Sequence, residues 1–280
     1  MRFSRVPLTI EDLTNLAPSA LANEAHESRS DRYGFQSTTE VISMMQQEGF
    51  QIFSASQSRT RQEDRRGHLK HMLRFRHESI DSGALMVGGL LPELVLINSM
   101  DGSSAYKLMA GIFRLVCSNG LVVADSLIQS IRVRHTATTI QDVLSASRTI
   151  TKQTHAAIGT IQNWQQLQLS DGEQNALAIA AHHVRFADSE GHVNTPITPS
   201  QLLQIRREED RKGDLWTVHN RIQENAIKGG LTARAASTND ANGYRRGRRI
   251  STREVKDISA DVKLNQALWQ LSEEMAKLKS

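Results

Sequence analysis

The spacing of apolar and polar positions changes character near residue 135. Ahead of it the chain reads mainly as short extended runs. The segment 50–59 is a candidate strand, and 69–77 alternates His71, Leu73 and Phe75 with Lys70, Met72, Arg74 and Arg76, the period of two that a pleated strand requires. The run 94–99 is nearly all apolar. Residues 106–117 are apolar on both faces, so helix and buried strand compete. Ser118-Asn119-Gly120 ahead of Leu121-Val122-Val123 is hairpin chemistry and favours strand. A last alternation at 127–135 sets Leu127, Ile131 and Val133 opposite Arg132 and Arg134.

Helical spacing brackets this region. Thr9 is placed to cap a short helix that Pro18 stops, and 38–47 carries an apolar stripe of Val41, Met44 and Met45 ending at Gly49. After His135 the pattern is helical throughout: 138–169, 171–187, a short piece at 201–205 launched by Thr198-Pro199-Ser200, and 214–228 between Asp214 and Gly229-Gly230. Residues 232–250 hold Asn239, Asp240, Asn242, Gly243 and Gly247 among arginines and read as loop or flexible chain. An amphipathic helix from Ser259 closes the sequence.

Strands gathered in one stretch and helices in another predict an α+β fold, with a central mainly antiparallel sheet at about 50–135, N-terminal helices and a helical C-terminal half. The expected division is one domain over 1–231, a basic flexible segment over 232–257 and a C-terminal helix over 258–280.

Composition narrows the class of function. Among 280 residues there is one cysteine, Cys117, which excludes an internal disulfide and a cysteine-based zinc or iron–sulfur site and points to a reducing, cytoplasmic setting. The longest apolar stretch, 83–97, contains Pro92 and Glu93 and is shorter than the roughly 20 residues that span a bilayer, so no membrane association is expected. The net charge of +4 conceals a strong asymmetry. Seven basic residues stand against two acids in 59–77, and again in 234–256, so each window carries +5 and the rest of the chain −6. Concentrated cations on an acidic body suit local binding of a polyanion.

The candidate binding residues follow from that map: Arg65, Arg66, Lys70, Arg74 and Arg76 in the first window, Arg132 and Arg134 on a later strand, and Tyr244, Arg245, Arg246, Arg248 and Arg249 in the second window. If the two strands share a sheet, their alternate arginines form a stripe able to bond successive phosphates; Tyr244 is placed to stack on a base. A solvated outer sheet face would give the same pattern. His68, His71 and His77, or His182, His183 and His192, lack the spacing of a metal site. Cys117 inside an apolar run reads as a core residue. No motif for nucleophilic catalysis or phosphate cradling occurs, and no cofactor is expected.

Two stretches, Asn98-Ser99-Met100-Asp101-Gly102-Ser103-Ser104-Ala105-Tyr106 and Gly111-Ile112-Phe113-Arg114-Leu115-Val116-Cys117-Ser118-Asn119-Gly120-Leu121, resemble a family of phage and plasmid proteins termed domain of unknown function 932. Thr198-Pro199-Ser200-Gln201-Leu202-Leu203, Arg206-Arg207-Glu208-Glu209-Asp210, Asp214-Leu215-Trp216-Thr217-Val218 and Asn220-Arg221-Ile222-Gln223-Glu224-Asn225 extend the resemblance over about residues 30–250. The resemblance implies an accessory protein of mobile elements and supplies no catalytic residues. Within it, 206–210 reads as balanced solvent-facing charges and Trp216 as an anchor of one helix to the sheet.

Three functions are therefore in play. The leading expectation is binding of nucleic acid, single-stranded DNA above all, in annealing, recombination or DNA protection, with self-assembly through the long helices. The second is an antirestriction-like protein that binds a host defence protein. The third is a nuclease or hydrolase whose site is assembled only by folding.

Overall fold

The computed structural model describes residues 2–4, 6–24, 37–62, 67–78, 90–101, 104–114, 119–122, 130–133, 139–235, 239–240, 243–244 and 247–279. The fold is α+β and divides into two compact units, 1–159 with 256–258, and 160–255 with 259–280. The division falls inside a long helix rather than at residue 231. Cys117, Tyr33 and Phe35 lie outside the described residues.

The first unit is built on a seven-stranded sheet whose listed pairings are all antiparallel. Its strands are β1 (Arg2–Phe3), β2 (Phe50–Gln57), β3 (His71–His77), β4 (Leu90–Asn98), β5 (Tyr106–Arg114), β6 (Asn119–Val122) and β7 (Ile131–Val133). They pair in chain order to β6, while β7 pairs with β5 at Tyr106–Leu108, below the stretch taken by β6. Arg114 faces Asn119, so Asn119 and Gly120 are paired strand residues, and the turn expected at 118–120 lies earlier in the chain. β4 is buried along its whole length, which explains why its sequence is continuously apolar rather than alternating.

Helices α1 (Ile10–Leu16) and α2 (Thr38–Gln47) precede most of the sheet. Thr9 and Asp12 form a capping box at the start of α1, and Pro18 opens a 3₁₀ turn directly behind it. α2 lays Thr38 over one sheet face: its hydroxyl lies 3.2 Å from His71 Nε2 and 3.1 Å from the Tyr106 hydroxyl. Ser19 Oγ sits 3.2 Å from His71 Nδ1, and Asn98 Nδ2 donates to Thr38. These buried polar groups find their partners among themselves, as burial demands.

Burial pushes the His71 ring down to about 4, only partly offset by its hydrogen bond to Leu69 O. The folded protein thus binds this proton less readily than the unfolded chain. Stability contributed by His71 is complete above its ordinary value of 6.5 and declines as pH falls from there toward about 4. Urea titrations at pH 7 and pH 4.5 should therefore show a loss in wild type of about 2–3 kcal/mol that is absent in His71→Gln.

The second unit contains the end of α3 (Thr139–Gln166), then α4 (Asp171–Phe186), α5 (Leu215–Lys228) and most of α6 (Ile258–Lys279). Short 3₁₀ turns occupy Pro199–Leu203 and Glu208–Asp210. α5 is its centre, with every residue from Leu215 to Ala226 buried. Trp164, Trp216, His219 and Trp269 pack as one aromatic group, the Trp164 and Trp269 centroids 4.5 Å apart and the Trp216 and His219 rings stacked. Trp216 thus joins helices to one another, and the expected anchor onto the sheet is replaced by this cluster.

Candidate nucleic-acid interface

The sheet register places Arg74, Arg76 and Arg132 on one face, as expected from the alternation. Met72 aligns with Ile97, Ile97 with Lys107, and Lys107 with Arg132, while Arg74 and Arg76 follow Met72 at alternate positions. That face is not an open cationic stripe. Arg74 is 0% exposed and Arg76 7%. Both are held by Glu93, Arg74 Nε 2.5 Å from Oε2 and Arg76 Nε 2.9 Å from Oε1. One register step beyond Phe75 opposite Leu94 brings Arg76 alongside Glu93. Arg76 also lies 4.4 Å from the Phe53 ring centroid. Desolvated guanidinium groups tied to a buried carboxylate are not available to phosphates.

The expectation that Arg74 and Arg76 touch nucleic acid therefore fails on burial, because the strand is covered on both faces and its charges pair inward. Lys70 is half-buried. Arg132 is exposed and lines an open cleft of about 530 Å³ with Asp142, Ser145 and Thr149. Arg65, Arg66 and Arg134 lie outside the described residues. The histidines do not converge either: His77 bonds Glu48 O, His182 bonds Ile197 O, and no metal-binding group of three appears among the described residues.

The second basic window is structured differently from its loop-like reading. β8 (Thr232–Arg234) pairs with β11 (Arg249–Ser251), and β9 (Asn239–Asp240) with β10 (Gly243–Tyr244). Both ladders keep one register: stepping inward from Thr232 opposite Ser251 leads to Asp240 opposite Gly243. They belong to a single antiparallel hairpin. Asn239-Asp240-Ala241-Asn242-Gly243 is the turn chemistry that could have signalled it, between Thr232-Ala233-Arg234 and Arg249-Ile250-Ser251 as strands.

The root of this ribbon is pinned to the end of α5. Gly229 and Gly230 take φ of 68° and 83°, a backbone region glycine enters freely. A Cβ at Gly229 would come within 2.7 Å of the Arg253 backbone. The chain therefore reverses tightly enough for Gly230 N to donate to Thr252 O, Thr252 N to Leu231 O and Val255 N to Ile227 O. Gln201 donates to Thr232 O, and Arg185 to Arg253 O.

Above the root, Arg234 faces Arg249 directly across the strands, and both are exposed. Arg248, one residue earlier, is exposed on the opposite side of the pleat, with its carbonyl still in the ladder through Ala235 N. No acidic partner of these three occurs among the described residues. Tyr244 holds a backbone place on β10 opposite Asn239, and Arg245 and Arg246 lie outside the described residues. Like charges directly opposite on a ladder repel, so this pairing is suited to an anionic ligand. The sequence reading had the right residues in 248–249 and missed Arg234.

The motifs that carried the resemblance serve the interior. Arg207 makes two hydrogen bonds to Glu224 at 2.8 and 2.7 Å and also reaches Asp210, which is buried. Burial pushes the Glu224 carboxyl up, but the Arg207 bonds and the Lys228 charge outweigh it, and the group titrates below its ordinary value. Arg206 bonds Asn225 and Gly229 O, Asn225 bonds the carbonyls of Leu202 and Gln204, Gln223 bonds Asn265, and His219 bonds Ser272. Arg206, Arg207 and Asp210 thus face inward, contrary to their solvent-facing reading, while Glu208 and Arg211 pair at the surface.

These interior residues fall within the region shared with other proteins. A family model described as "Domain of unknown function (DUF932)" matches residues 25–269. The chain belongs to the DUF932 family. It is similar to two UPF0380 proteins of Escherichia coli strain K12, YafZ and YfjQ, each 41% identical over 267 residues that cover 95% of this chain and 91% of the relative. No solved structure matches it. The DUF932 match covers both compact units, including the ribbon. No helix among its described residues is long and apolar enough to cross a membrane.

Proposed function

We propose that the protein binds nucleic acid through the 232–251 ribbon, as an accessory protein of mobile elements. The observation that carries this reading is the exposed cross-strand pair Arg234 and Arg249, with Arg248 beside it, on a rigid root. Guanidinium groups bond phosphate oxygens in bidentate fashion, and an anion between them relieves their mutual repulsion. The −6 carried outside the two basic windows disfavours wrapping a polyanion over the whole surface and favours capture at one place. The two-strand arginine stripe that pointed to single-stranded DNA along the sheet is withdrawn, because Arg74 and Arg76 are committed to Glu93.

Limited trypsin digestion tests the location. Exposed Arg234, Arg248 and Arg249 are cleavage sites, and saturation with a DNA oligonucleotide is expected to slow cleavage there while leaving cleavage after Arg211, on the far side of α5 in sequence, unchanged. Unaltered cleavage at all three ribbon arginines under saturation would contradict the proposal.

A further inference from the structure

Resting on that reading, we infer that the form of nucleic acid taken is double-stranded DNA, with the ribbon entering its major groove. Three observations point there. The first is dimensional. Two paired strands lie about 4.8 Å apart, and with their side chains they match a major groove roughly 12 Å wide that admits a two-stranded ribbon. The shared register gives nine residues on each arm between Thr232 opposite Ser251 and Asp240 opposite Gly243, a reach of up to roughly 27 Å.

The second is the distribution of charge. Arg234 and Arg249 stand on one face of the ribbon and Arg248 on the other, all exposed. A single strand presents one line of phosphates, which one cationic face would satisfy. A groove presents two walls, and cations on both faces of an inserted ribbon meet both. The third concerns stacking. Binding of single strands relies on exposed aromatic platforms. Among described side chains, every aromatic is buried or half-buried, with Trp164, Trp216 and Trp269 packed together and Phe53 under Arg76. Duplex RNA is a poorer fit, because its major groove is deep and too narrow for side chains to enter.

The test compares three labelled probes of one sequence, a 30-base-pair DNA duplex, its single strand and the corresponding RNA duplex, by anisotropy with the full chain at 0.1 M salt. DNA duplex binding at least tenfold tighter than either alternative is expected. Arg248→Gln and Arg234→Gln are each expected to weaken duplex binding by severalfold, since both walls are contacted. Single-strand or RNA binding equal to or tighter than DNA duplex binding overturns the groove inference and leaves nucleic-acid binding standing. A loss confined to Arg234→Gln likewise overturns it. Undetectable binding to all three probes overturns the underlying reading. Unchanged melting temperatures in the variants confirm that folding is intact.

Discussion

Replacing Glu93 with Ala should cost about 3–5 kcal/mol of stability, because it leaves two buried guanidinium groups without the carboxylate that neutralises them. Arg74 and Glu93 are fully enclosed, and Arg76 is nearly so. Burying an unpaired charge is among the few single changes able to reach this size. The effect comes from the orphaned arginines rather than from the lost side chain. The combined change Arg74→Met, Arg76→Met and Glu93→Leu should therefore recover most of the loss, since apolar residues of similar bulk often replace a buried ion group at little cost. Urea unfolding of both variants measures this. A loss below about 1 kcal/mol for Glu93→Ala would mean that water reaches this face, and it would restore Arg74 and Arg76 as candidates for binding.

The two arginines show how far alternation along a strand can be read. Period-two spacing correctly put Arg74 and Arg76 on the same side of β3, and the register confirms that Arg132 shares it. Whether that side meets water depends on a partner 17 residues from Arg76, Glu93, inside an apolar run where a lone acid was taken only as a reason against a membrane span. A charge embedded in a continuous apolar strand is costly unless paired, so Glu93 was itself the available signal that cations must be buried nearby.

The helical half was legible where capping and stop chemistry are local. Thr9, Asp214 and the Gly229-Gly230 stop all sit where expected. α5 was harder to interpret. Its sequence, with His219, Asn220, Arg221, Gln223, Glu224 and Asn225, looks polar enough for a surface helix, yet all of these are buried. Their hydrogen bonds run to residues 9 to 53 positions away, and no local pattern encodes partners at that range. The ribbon was missed for the opposite reason. Its strands are too short to show alternation, and Asn, Asp and Gly between them serve a loop and a hairpin turn equally well.

The second large effect belongs to that ribbon. Phosphate contacts lower the logarithm of affinity by about 0.9 per contact for each decade of salt on duplex DNA. Three arginines on three phosphates are then worth roughly five-hundredfold at 0.1 M relative to 1 M salt. The variant Arg234→Gln, Arg248→Gln, Arg249→Gln should lose binding by that order. All three residues are exposed at the surface of the ribbon, so the fold itself should be unaffected. Arg132→Gln, on the sheet of the other unit, serves as the comparison, because it changes the same charge without touching the ribbon.

The most direct measurement of the account is a salt titration of nucleic-acid affinity for wild type and the triple ribbon variant, using whichever probe binds wild type more tightly. The prediction is a steep linear fall of log affinity with log salt in wild type, and a slope shallower by about 3 in the variant. Superimposable slopes, or a wild-type affinity indifferent to salt, would contradict the ribbon as the seat of binding.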